Sequence, residues 1–179
     1  MSKLIIVCGL PGSGKTTVSE ALSKKLNLAC LHKDSIIDNL SSIAGIETFE
    51  EYKKISRHSL QLFFKLAEEQ VKNNVDLIME SAFNFEEDVD LFNRWIEKYD
   101  LDFYCIICKV AEEERKRRFM NRPAHTAIFF EKDKLQENDP NTAFNRTDFD
   151  YNLMPEKKII LKTDEPVAKS IEKIIRYIN

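Results

Sequence analysis

Five short apolar runs punctuate a largely polar chain, at residues 3–8, 28–32, 75–79, 102–109 and 158–162. Each is bounded by polar residues and has the length of a strand buried on both faces, as in a parallel sheet. Between the runs the pattern changes to helical spacing. Val18, Ala21, Leu22 and Leu26 follow the first run; Ile55, Leu62, Phe63, Leu66 and Ala67 form a stripe before the third. Val89, Phe92, Ile96 and Tyr99 form another, and Val167, Ile171, Ile174, Ile175 and Ile178 close the chain. One such stripe per helix packs against one face of a sheet. Pro166 suits the first turn of the last helix, where a missing N–H costs nothing. Strand and helix signals in alternation predict a three-layer α/β domain, a parallel sheet with helices on both faces. Residues 123–157 are the least regular, with Pro123, Asn138-Asp139-Pro140, Asn141, Asn145 and Pro155 among charged side chains. That stretch is too long for an ordinary connection and is expected to hold a short helix around 131–137. It reads either as a cover that closes over a ligand or as a packed surface excursion.

At 179 residues the chain has the size of one domain, and five prolines with four glycines leave no room for a long flexible linker. A net charge of −3 does not suit a protein built around long nucleic-acid contacts. No apolar stretch approaches the ~20 residues of a membrane span, and no apolar leader precedes the first strand, so a cytoplasmic location is expected. Cys8, Cys30, Cys105 and Cys108 lie in or beside apolar runs, as reduced core thiols do. Cys105 and Cys108 are three apart in a strand and so face opposite ways, which argues against a working dithiol. His32, His58 and His125 are scattered and match no metal-ligand spacing.

The first turn of chemistry is unambiguous. Residues 9–17 read Gly-Leu-Pro-Gly-Ser-Gly-Lys-Thr-Thr, filling G-x-x-x-x-G-K-[ST] through Gly9, Gly14, Lys15 and Thr16. Glycines let consecutive backbone N–H groups curl around phosphate oxygens, the lysine reaches the outer phosphates, and the threonine hydroxyl ligates Mg²⁺. A strand before the loop and a helix after it supply the required context, with the helix N-terminus facing the anion. The expected ATP-binding set is Gly9, Pro11, Gly12, Ser13, Gly14, Lys15, Thr16 and Thr17, joined by Arg118.

Transfer of a phosphoryl group also needs an acceptor-activating group, a second metal-side ligand and positive charge that follows the moving phosphate. Asp34 follows the second run, at the strand ends where parallel sheets collect their chemistry, and can take a proton from an acceptor hydroxyl. The alternative is that it caps a helix beginning at Ser35. Glu80 stands in the same relation to the third run and can hold Mg²⁺ directly, through water, or face the acceptor. After the fourth run, Arg115, Arg118 and Arg122 recur at i, i+3 and i+7, on one helix face that could press on phosphates. The rival reading is a solvated face laced with ion pairs to Glu112, Glu113 and Glu114. Arg118 and Arg122 are the two favoured for catalysis, beside Lys15 and Asp34.

These parts, in this order, resemble the small P-loop kinases: polynucleotide 5′-hydroxyl kinases, chloramphenicol phosphotransferases, zeta toxins and AAA-type kinases of unassigned substrate. The resemblance implies a five-stranded parallel sheet in order 2-3-1-4-5, ATP with Mg²⁺, and a lid at about residues 111–140. It implies that Asp34 is the base toward the acceptor hydroxyl, that Arg118 and Arg122 of the lid contact the triphosphate, and that Thr163-Asp164 helps frame the adenine. Glu80 departs from the aspartate usual at its place, and neither residues 35–74 nor residues 123–157 carry a recognisable acceptor signature. The activity expected is phosphorylation of a small-molecule hydroxyl by a monomer or homodimer. Alternatives are a nucleotide or nucleic-acid 5′-hydroxyl kinase, or a nucleotide-gated module that engages a protein partner.

Overall fold

The apolar runs become the five strands of one parallel sheet, in a computed structural model that describes residues 1–123, 126–137, 142, 144, 145, 149–155 and 157–179. In chain order the elements are β1 (Lys3–Cys8), α1 (Lys15–Leu26), β2 (Cys30–His32), α2 (Lys33–Ala44), α3 (Phe49–Lys72), β3 (Leu77–Glu80) and α4 (Glu86–Tyr99). They continue with β4 (Asp102–Lys109), α5 (Glu112–Asn121), α6 (Thr126–Gln136), β5 (Lys158–Lys162) and α7 (Val167–Ile178). The sheet order is β2-β3-β1-β4-β5, the order that the kinase resemblance implies.

Alternation along the strands divides the core into two layers. Leu4, Ile6, Cys8, Leu77, Met79, Phe103, Cys105 and Ile107 face α3 and α4, meeting Phe63, Phe92 and Trp95. Ile5, Val7, Ile78, Tyr104, Ile106 and Cys108 face α1 and α7, meeting Val18, Leu22, Ile171 and Ile174. Cys105 and Cys108 therefore lie in different layers, as their spacing requires; the thiol nearest Cys105 is that of Cys8 on the neighbouring strand, with the sulfurs 3.5 Å apart. All four cysteines are free.

Several boundaries differ from the sequence expectation, each for a local reason. Asn27 and Asn74 adopt left-handed backbone (φ 54 and 60) after α1 and α3, so the second and third strands begin two residues later, at Cys30 and Leu77. The third also runs one residue further, taking in Glu80. The helix expected at 131–137 starts earlier, at Thr126. Pro166 stands at the N-cap of α7 rather than inside its first turn. Thr48 and Glu51 form a reciprocal capping box that starts α3 and carries it through 24 residues, well before its apolar stripe begins. His125 and Asn138-Asp139-Pro140 lie outside the described residues. Among the described residues no helix is long and apolar enough to cross a membrane.

Candidate active site

Strand ends put the predicted chemistry on one edge of the sheet. β1 stops at Cys8, and the loop passes through Gly9, Gly12 and Gly14, all with positive φ, before α1 starts at Lys15. Two of these glycines are required by crowding as well as by backbone angle. A Cβ at Gly9 would meet the Cys108 carbonyl oxygen at 2.4 Å, and one at Gly12 the Arg115 carbonyl oxygen at 2.3 Å. The loop is thus laid directly against the end of β4 and the first turns of α5, and no side chain fits between.

Polar ties complete that seat. Thr163 Oγ1, just past β5, donates to the Ser13 carbonyl at 2.6 Å. Arg115, 2 % exposed, donates through Nη1 to the Pro11 carbonyl at 3.1 Å and to the Phe144 carbonyl at 3.3 Å. Its other nitrogens hold Glu112, and its guanidinium carbon lies 3.8 Å from the centre of the Phe144 ring. Arg115 therefore does not join a phosphate-facing row with Arg118 and Arg122. It is buried behind the loop as a brace, because the helix face expected to be open is covered by the loop and by Phe144.

The other two arginines reach the front. Arg118 donates to Glu114 at 2.7 Å and to the Thr163 hydroxyl and carbonyl at 3.3 and 3.0 Å. Between them, Arg117 and Arg118 hold the Glu114 carboxylate down to about 2. Arg122 falls one residue past the end of α5, with ψ 144, and this extended backbone turns its side chain toward the loop. Its Nη2 donates to Thr16 Oγ1 at 3.1 Å. Gly12, Gly14, Thr17, Arg118, Arg122 and Thr163 line one cavity of about 370 Å³. Lys15 folds back onto its own loop, donating to the Leu10 carbonyl at 3.2 Å.

Glu80 ends β3 directly opposite His32 of β2 and Val7 of β1. It is 4 % exposed, and its Oε2 accepts from Thr16 Oγ1 at 3.4 Å and lies 3.0 Å from His32 Nδ1. Hydrogen bonding to Cys30 and then to Glu80 pushes the His32 imidazole up to about 10. From its place beside Asp34, His32 reads either as a substrate contact or as a surface residue; the contact with Glu80 is not foreseen by that reading, since it depends on how β2 pairs with β3. Thr16 and Glu80 offer hard oxygen donors side by side, the kind Mg²⁺ takes while drawing its remaining ligands from phosphate and water. No group of three His, Cys, Asp or Glu able to hold a metal occurs among the described residues.

Asp34 sits in the first turn of α2, exposed. The N-cap is His32 and the helix starts at Lys33, so Asp34 does not cap a helix beginning at Ser35. Nearby, the turn after β3 holds Phe83 at φ 43, a backbone conformation costly for an aromatic residue, and packs its ring against Phe63 and Phe92. That turn leaves the Ala82 carbonyl to accept from the Gly9 N–H at 3.4 Å and the Tyr151 hydroxyl at 2.8 Å.

A family profile described as an AAA domain matches residues 4–143. Among solved structures, a kinase candidate from Chloroflexus aurantiacus superposes with TM-score 0.76 at 19 % identity, covering 99 % of this chain and 96 % of that one. The APS kinase CysC of Mycobacterium tuberculosis, determined with AMPPNP and APS, gives TM-score 0.68 at 16 % identity, covering 99 % and 97 %. Shikimate kinase from Brucella canis is 32 % identical over 60 residues, 34 % of this chain. The alignment spans 30 % of the length of that curated relative. The fold is that of the P-loop kinases.

Proposed function

We propose that this chain, which belongs to the AAA domain family, is an ATP-dependent phosphotransferase that moves the γ-phosphoryl group of MgATP to a hydroxyl of a small molecule. The observation that carries the reading is the cavity of about 370 Å³ in which the glycine loop faces Arg118 and Arg122, with Glu80 touching Thr16 at its edge. The loop N–H groups and Lys15 hold the phosphates, while Thr16 and Glu80 would hold Mg²⁺, which neutralises charge on the phosphate oxygens. Arg118 and Arg122 stabilise charge on the transferring group, their fixed guanidinium donors suiting phosphate oxygens. Asp34, exposed and with no hydrogen bond among the described residues, is free to accept the proton of an incoming hydroxyl. The kinase relatives support this class of reaction, and their acceptors differ from one another, so they favour none for this chain. The test is to incubate the protein with γ-labelled ATP, Mg²⁺ and a fractionated pool of hydroxyl-bearing metabolites. One compound gains label in a Mg²⁺-dependent manner; if label appears only in inorganic phosphate across the whole pool, the kinase reading fails.

A further inference from the structure

The metal-side pair is already in contact with a cation of the protein's own. Thr16 Oγ1 has one proton and two lone pairs; it gives the proton to Glu80 Oε2 at 3.4 Å and accepts Arg122 Nη2 at 3.1 Å. Glu80 Oε2 is met from its other side by His32 Nδ1 at 3.0 Å. A magnesium ion ligated by Thr16 would have to share that hydroxyl oxygen with Arg122, two cations held against each other, and a guanidinium cannot shed its charge to relieve the repulsion. Arg122 is also held in place from behind. Pro123 restricts the backbone of the residue before it to extended angles, and the Arg122 carbonyl accepts Lys132 Nζ of α6 at 2.6 Å.

We infer that Arg122 is the resident cation of the metal position, that it excludes the free divalent ion, and that only a metal arriving with nucleotide phosphates displaces it. The inference rests on the reading of Thr16 and Glu80 as the metal-side pair. The asymmetry between free and nucleotide-borne metal follows from charge. A lone divalent ion brings positive charge against Arg122 with no anion to compensate. The metal–nucleotide complex is net negative, and Arg122 lines the cavity it enters, so the guanidinium can exchange the Thr16 hydroxyl for a phosphate oxygen and stay paired. One side chain would thus repel the free ion and serve the metal–nucleotide complex.

Mn²⁺ tests this without turnover, because free Mn²⁺ is read directly by electron paramagnetic resonance. Without nucleotide, Arg122→Gln should bind Mn²⁺ at least about 10-fold more tightly than the unaltered protein, while Arg122→Lys, which keeps the charge, should stay within about 3-fold of it. With AMPPNP present the advantage of Arg122→Gln should disappear. Adding Thr16→Val to Arg122→Gln should abolish the gain. Equal Mn²⁺ affinity in the unaltered protein and Arg122→Gln overturns the inference, as does a gain that survives Thr16→Val. Circular dichroism checks the fold of each variant. Should Arg122→Gln not fold, Lys132→Ala, which frees the Arg122 backbone, should raise Mn²⁺ affinity in the same direction, and no rise overturns the inference. A gain in Mn²⁺ affinity without any acceptor for phosphate would sink the kinase reading and leave this inference standing.

Discussion

The two halves of the sheet's carboxyl edge are finished differently. Beside β1, β4 and β5, the phosphate loop is tied from several elements: Thr163 to Ser13, Arg115 to Pro11 and Arg122 to Thr16. Beside β2 and β3, the proposed base Asp34 stands exposed in the first turn of α2 with no hydrogen bond among the described residues. There, α2, α3 and α6 meet through apolar contacts instead, with Phe130 5.1 Å from Tyr52 and 6.0 Å from Phe49, ring centre to ring centre. Phosphate has one geometry, so its site can be built in advance from donors locked by packing. The acceptor half leaves its polar group unspent, to be satisfied by the substrate.

The largest expected effect tests that contrast at Asp34. Asp34→Asn should slow single-turnover transfer by roughly 10²- to 10⁴-fold while leaving equilibrium ATP affinity unchanged. A parallel loss of ATP affinity would show that the halves are not separable. Next comes the brace. Arg115→Met removes the donor from two carbonyls in a nearly sealed site, and a urea titration should show a loss of about 3–5 kcal/mol. A loss below about 1 kcal/mol would mean that the loop holds its seat without the arginine.

A smaller effect belongs to the acceptor half. Burial pushes Asp88, in the first turn of α4, up from 3.8 to about 6 although it accepts the Phe85 N–H at 3.3 Å. A raised carboxyl favours folding while protonated, so its benefit is present below about pH 4 and is lost as pH rises toward 6. Relative to Asp88→Asn, which keeps an acceptor for Phe85, the native protein should lose up to about 3 kcal/mol across that window. Parallel stability curves for the two proteins would remove buried charge from this corner. The smallest effect joins the halves: Tyr151→Phe deletes the bond to the Ala82 carbonyl and should cost about 1 kcal/mol in thermal unfolding. No shift at all would show that the turn after β3 keeps its shape through the Phe83 packing alone.

Much of this was legible before folding. Strand runs, helix stripes and the glycine loop are local patterns, and their order on the chain predicts the layers. Position at a strand end placed Asp34 and Glu80 at the sheet's carboxyl edge, where they lie. What escaped depends on which neighbour a face meets. Helical spacing groups Arg115 with Arg122, yet α5 ends at Asn121, and the loop and Phe144 cover the first arginine while the last reaches Thr16. His32 gained its part only through register, since it lies opposite Glu80 when β2 pairs with β3. Thr48-Phe-Glu-Glu51, by contrast, was a readable helix start whose pattern passed unused.

The seat of Arg115 also fixes where this molecule can bend. Its guanidinium pins the opening turns of α5 to the Pro11 carbonyl, and the Arg115 carbonyl itself abuts Gly12, so that part of the helix cannot swing without dragging the loop out of shape. Any rotation of α6 must pivot downstream, and Arg122 to Pro123 is where helical backbone gives way to extended chain. The residue at that boundary is the one that touches Thr16, so any turn of the chain there would also carry the guanidinium toward or away from the loop.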